Sequence, residues 1–88
     1  MEDNYEVRTE NGVIRYYKNG LLHRDNDFPA IEWNNGNKVW WFEGKLHRIN
    51  GPTVEYSNGN KEWWYEGKQI KCSSQEEFKR IINLILFT

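Results

Sequence analysis

Short runs of β-branched and aromatic residues, separated by Gly, Asn and Pro, fill the chain as far as residue 71; beyond it the apolar positions take up a helical spacing. The first part predicts antiparallel strands joined by tight turns. Two sets of three strands are expected at 30–33, 38–42 and 45–47 and at 53–56, 61–65 and 68–70. A partial first set falls at 5–9, 13–17 and 21–23. In the last part, Phe78, Ile81, Ile82 and Ile85 stand at i, i+3, i+4 and i+7, and Ser74 precedes Glu77 in a capping-box pattern. This predicts a helix from Gln75 to Leu86, within a capping segment 74–87. Its apolar face, joined by Leu84, Leu86 and Phe87, requires a partner surface, which the open end of the last β unit offers.

The strand sets are copies of one another at a period of 23 to 24 residues. Asn11-Gly12, Asn35-Gly36 and Asn58-Gly59 each lie eight positions before a second glycine, Gly20, Gly44 and Gly67. Three residues further on stand His23, His47 and Ile70; the two histidines are followed by Arg24 and Arg48, and then by Pro29 and Pro52. One extra residue within Asp25-Asn26-Asp27-Phe28 makes the first period longer than the second. Asn-Gly suits the two positive φ angles of a type I′ hairpin, whereas Glu43-Gly44 and Glu66-Gly67 suit a type I turn closed by a glycine bulge. Pro29 and Pro52 belong at strand starts or edges, where no ladder donor is needed. The expected architecture is mainly β: a hairpin and meander repeat sheet, 5–71, closed by one C-terminal helix within a single domain, 1–88.

Composition narrows the function classes. Twelve Lys and Arg against 13 Asp and Glu leave a net charge of −1, which argues against a protein that coats bulk nucleic acid by neutralising phosphates. Five Trp supply much of the apolar area that so small a domain needs. A single cysteine, Cys72, permits no internal disulfide and fits a reducing compartment. The acidic Met1-Glu2-Asp3-Asn4 opening does not resemble a targeting sequence, and the run 81–87 is too short for a bilayer. No membrane role and no cofactor are expected.

The segment from Trp40-Trp41-Phe42-Glu43-Gly44-Lys45-Leu46-His47-Arg48 through Gly51-Pro52-Thr53-Val54-Glu55-Tyr56-Ser57-Asn58-Gly59 resembles the repeats of small proteins encoded by tailed phages and giant viruses, which read W-W-x-x-G-K-x-H-R-x-x-G-P-A-x-E-Y-x-N-G. Ser74-Gln75-Glu76-Glu77-Phe78 is similar to the ending common among them. The period is more distantly similar to MORN repeats, without their Tyr-x-Gly spacing. The third copy departs from the pattern, with Ile70-Lys71 in place of His-Arg. The resemblance implies a viral accessory protein with a β-repeat fold, at work in the cytoplasm of the infected host cell; it names no substrate.

Two groupings are candidates for binding. The doublets Tyr16-Tyr17, Trp40-Trp41 and Trp63-Trp64 point one ring to each sheet face, so either both faces are covered or one shows rings to solvent. The pairs His23-Arg24 and His47-Arg48 suit an anion, because Arg grips phosphate or carboxylate with two donors. They equally suit a role as glue between repeats, paired with the strand glutamates Glu32 and Glu55. The Asp25-Asn26-Asp27 loop competes with an anionic ligand at the first pair, leaving His47 and Arg48 the stronger candidates.

The expected ligand surface comprises His47, Arg48, Trp40, Trp63, Lys38, Lys61, His23 and Arg24. No nucleophile elbow, phosphate loop or metal-ligand spacing accompanies it, so catalysis and metal binding are not expected. The resulting expectation is a non-catalytic binder that inhibits host defence by sequestering a small nucleotide. The alternatives are a module that blocks a host defence or regulatory protein, or a self-associating virion component.

Overall fold

The computed structural model describes residues 4–87; the acidic opening at residues 1–3 and the final residue, 88, lie outside the described residues. Among the described residues ten strands and one helix follow in order: β1 (Tyr5–Glu10), β2 (Val13–Lys18), β3 (Leu21–Leu22), β4 (Ile31–Trp33), β5 (Lys38–Val39), β6 (Trp41–Phe42), β7 (Lys45–Leu46), β8 (Val54–Glu55), β9 (Lys61–Tyr65), β10 (Lys68–Ile70) and α1 (Gln75–Leu86). All strand pairs are antiparallel, in the order β1-β2-β4-β5-β8-β9-β10 with β3 on β2 and a separate β6-β7 hairpin. The fold is the mainly β meander with one C-terminal helix that the repeat pattern predicts.

Two positions expected at strand starts act as splices between units. Ala30 donates to the Val39 carbonyl and accepts from Tyr16, while Thr53 donates to Glu62 and accepts from Trp40. Both are fully buried, so only a small side chain fits there. The Thr53 hydroxyl also accepts from the Trp64 N–H and donates to the Trp64 carbonyl, satisfying backbone groups that the short β8 leaves without a strand partner.

The turn chemistry reverses the expectation in the second and third units. Both Glu-Gly turns are primed: Glu43 and Gly44 have φ of 51° and 82°, Glu66 and Gly67 of 48° and 85°. Two-residue loops join Phe42 to Lys45 and Tyr65 to Lys68, and only a primed turn matches strand twist across so short a link. Asn35-Gly36 and Asn58-Gly59 instead close three-residue loops in which only the glycine is left-handed, at 100° and 96°. There Asn35 and Asn58 accept the N–H two residues on with their side chains, so asparagine serves as an Asx turn. Asn11-Gly12 is primed as predicted, and Asn19-Gly20 shows the same geometry.

Strand alternation sorts the doublets onto two faces. Trp40 and Trp63 are buried on one face, beside Tyr16; Tyr17, Trp41 and Trp64 are half-buried on the other, in line with Ile31, Val39 and Val54. Helix α1 covers the first face, where Phe78 and Ile82 pack on Trp63 with Tyr65, Ile70 and Cys72 around them. Burial pushes the Cys72 thiol above its ordinary value, as for an inert core cysteine.

The helix begins where predicted. Ser74 Oγ accepts the Glu77 N–H, but Glu77 reaches back to the N–H and hydroxyl of Ser73 rather than to Ser74 itself. Those donors hold the Glu77 carboxyl below its usual range. Its packing is shorter than predicted, because α1 outruns the sheet: Ile85 is 46% exposed, and Leu84, Leu86 and Phe87 are more so.

A glutamate in the left-handed region costs about 1 kcal/mol relative to residues suited to it. Glu43→Asn and Glu66→Asn are expected to raise stability by about 0.5–1 kcal/mol each, or roughly 3–6 °C in Tm by thermal circular dichroism for a domain of this size. Gly44→Ala is expected to lower it, since the added Cβ is strained at positive φ and meets Leu21 at 3.3 Å.

Candidate functional site

The His-Arg pairs occupy the seams between repeats, and each half of a pair grips a different part of the next unit. His23 Nδ1 accepts the N–H of Glu43 at 2.9 Å, and His47 Nδ1 accepts that of Glu66 at 3.0 Å. In both cases the histidine caps the primed turn of the following hairpin. An accepting Nδ1 carries no proton, so each ring is neutral with its hydrogen on Nε2. His23 Nε2 then donates to Asp25 at 2.8 Å. The rings of His23, Phe42, His47 and Tyr65 form a ladder along this edge, with neighbouring centroids 4.3, 6.3 and 5.1 Å apart.

The arginines grip the sheet. Arg24 lies 3.8 Å over the Tyr16 ring and 4.8 Å from Phe28, and bonds Glu32 at 2.7 Å and the Pro29 carbonyl at 3.1 Å. Arg48 lies 3.8 Å over the Trp40 ring and bonds Glu55 at 3.0 Å and the Pro52 carbonyl at 3.0 Å. Arg48 also donates to both Asp27 oxygens, at 2.9 and 3.1 Å, so one guanidinium ties together three successive units. Gly51 makes this possible, because a Cβ there would lie 2.6 Å from the guanidinium. The third unit has no successor to grip, and its Ile70-Lys71 stands where a pair would otherwise be. The helix takes over that place: Gln75 accepts from Trp63 Nε1 at 2.8 Å and donates to the Ile49 carbonyl at 2.8 Å, as the Asp27 carbonyl accepts from Trp40 Nε1.

Of the eight residues expected at a ligand surface, Arg24, Trp40, His47 and Arg48 line one cleft of about 170 Å³, together with Asp25, Asp27 and Asn50. His23 lines a neighbouring cleft with Lys18, Leu21 and Phe42. Trp63 sits under α1. Lys38 and Lys61 line neither cleft; they alternate with Glu32 and Glu55 in one cross-strand row, Glu32-Lys38-Glu55-Lys61. The inserted loop divides its acids between the units. Asp25 takes Tyr5, Lys18 and His23, whose bonds, that of the Tyr5 hydroxyl foremost, hold its carboxyl far below the usual range. Asp27 crosses to Arg48, the pair expected to be free of that competition. Asn26 and Asp27 reach these positions at φ of 63° and 62°.

Asp27, Gly51 and Gln75 are the participants that sequence reasoning missed. The one-residue insertion was a signal for the first and the Gly-Pro step for the second; for Gln75 only its place after the helix cap pointed that way. Among the described residues no three His, Cys, Asp or Glu converge to hold a metal, and no helix is long and apolar enough to cross a membrane.

The opposite face is unequal between units. Glu62 accepts from Trp64 Nε1 at 3.0 Å and from the Tyr56 hydroxyl at 2.9 Å, which pushes the Tyr56 phenol above its ordinary value. In the second unit Val39 stands at the position of Glu62, and the buried Trp41 Nε1 has no acceptor.

Arg48→Ala is expected to cost about 2–4 kcal/mol, because it leaves Asp27 and Glu55 without their cation and uncovers Trp40. Arg48→Lys should recover less than half of that, lacking the planar fork; urea unfolding measures both. Burial holds His47 below its ordinary value, so the unfolded chain binds more protons near pH 6. The stability tied to neutral His47 is therefore complete above pH 6.5 and lost as pH falls through the lowered folded value. Melting curves from pH 7 to 5 should show this decline, and His47→Asn, which keeps an acceptor near the Nδ1 position, should flatten it. Asp25 acts in a separate window: its stabilisation is complete above about pH 4 and is lost only as pH falls below that. No family model, curated protein or solved structure matches the chain.

Proposed function

We propose that the protein is a non-catalytic, virus-encoded binding module that blocks a host defence or regulatory protein with its uncovered sheet face. The observation that carries this is the division of labour between the faces. On the first, both His-Arg pairs are bonded within the chain, and α1 covers the last ring. The second has no helix over it and carries Tyr17, Trp33, Trp41 and Trp64, all half-buried, beside Arg15 and the exposed Tyr56. Trp and Tyr that reach the surface of a sheet with one edge of the ring, with an arginine among them, have the composition of interface hot spots. Trp41 Nε1, a donor without an acceptor, adds a group that a partner's carbonyl can satisfy after a small ring movement.

Nucleotide sequestration has less support. The cleft holding His47 and Arg48 is about 170 Å³, below the few hundred that small-molecule sites occupy. Its arginine is already shared by two carboxylates, which an incoming phosphate has to displace.

Affinity capture from host lysate, followed by titration of the purified partner, tests the proposal. Trp33→Ala is expected to weaken binding at least tenfold, while Phe28→Ala on the first face leaves it unchanged. A thermal-shift panel of linear and cyclic nucleotides runs beside it. A ligand-specific rise in Tm that His47→Ala abolishes in a folded protein would replace this proposal with sequestration.

A further inference from the structure

Where α1 runs past the sheet, its last turn carries Leu84, Ile85, Leu86 and Phe87 at 63%, 46%, 59% and 85% exposure. Beside it lies a groove of about 370 Å³ lined by Tyr65, Glu66, Lys68, Ile70 and Ile85, on the face opposite the proposed partner surface. We propose that this helix end and groove form a two-fold dimer interface with a second copy of the chain, the helices crossing antiparallel near Leu84.

Three features select a second copy as the occupant. The first is area: Leu84 and Phe87, three residues apart, share one stripe of the helix and together expose on the order of 300 Å² per copy, the lower end of the largest patch on a typical monomer. With the apolar lining of the groove added on each side, two such stripes face to face approach the roughly 1,000 Å² at which a specific interface separates from casual contact. The second is charge. The groove is bordered by one acid and one base, Glu66 and Lys68, two positions apart across the β9-β10 turn. A two-fold contact sets each Glu66 against the other copy's Lys68, and a patch of mixed sign complements itself where a partner of one sign would meet repulsion. The third is the helix terminus. The last turn of α1 has no basic residue, although its carbonyls form the negative end of the dipole. An antiparallel crossing brings the exposed Lys79 and Arg80 of one copy alongside that end of the other.

A dimer built here leaves both uncovered sheet faces outside the contact, so the assembly is bivalent toward a shared partner.

Sedimentation equilibrium of the full chain between 1 and 500 µM tests the proposal. The expected result is a reversible monomer–dimer equilibrium that Leu84→Glu or Phe87→Glu shifts at least tenfold toward monomer. Both positions are exposed, so the variants should keep the wild-type circular dichroism spectrum. Lys68→Glu should weaken the dimer by a similar factor, and combining it with Glu66→Lys should restore it, since the exchanged charges face each other again across the axis. Wild-type protein that is monomeric at 500 µM overturns the proposal. So does assembly that continues past the dimer, or a dimer indifferent to both helix substitutions. Failure to regain the dimer in the doubly charge-exchanged protein overturns the two-fold geometry.

Discussion

A guanidinium held over an indole is the contact on which the rest of this fold depends. Arg48 over Trp40 joins three chain segments that share no backbone hydrogen bond at that point: its own loop, the Glu55 strand of the next unit and the Asp27 loop of the unit before. A sheet of strands two to six residues long gains little from ladder bonds alone, since a backbone hydrogen bond nets only about 1 kcal/mol. Coupling between units has to come from side chains that reach across the seams, and arginine suits this because one planar group stacks and donates in several directions at once.

The two halves of each His-Arg pair work at different ends of the same strands. Histidine holds the hairpin tips through a neutral Nδ1, and arginine holds the sheet through charge and ring stacking. One dipeptide therefore couples a unit to its successor in two places, which accounts for its presence in the first two copies and its replacement in the third. Helix α1 meets the same requirement by other means, substituting apolar burial by Phe78 and Ile82, and an amide from Gln75, for the missing cation. These polar groups are engaged in coupling, which is why the proposed partner surfaces are the aromatic face and the overhanging helix end.

Much of this architecture was legible in the chain, and the reasons are local. Alternation within each run, Gly and Asn at the turns, the 23- and 24-residue repeat and the Ser74-Glu77 cap all act over a few residues, so strand positions and the helix from Gln75 to Leu86 followed without tertiary information. Less legible was turn type at Glu43 and Glu66. There strand twist and loop length force a conformation that glutamate by itself disfavours, so tertiary pairing overrides local preference.

The sequence by itself determined the repeat, the β-hairpin class, the capping helix and the segregation of each doublet to two sheet faces, because each follows from nearest-neighbour sterics and the period-two geometry of a strand. Tertiary structure alone decided which face is covered, that Asp27 of the preceding unit bonds Arg48, that Lys38 and Lys61 alternate with Glu32 and Glu55 in one cross-strand row, and that α1 outruns its support. These outcomes depend on the curvature of the sheet and on where a loop of given length lands. Both sum small twists over many residues, and no single motif encodes the result.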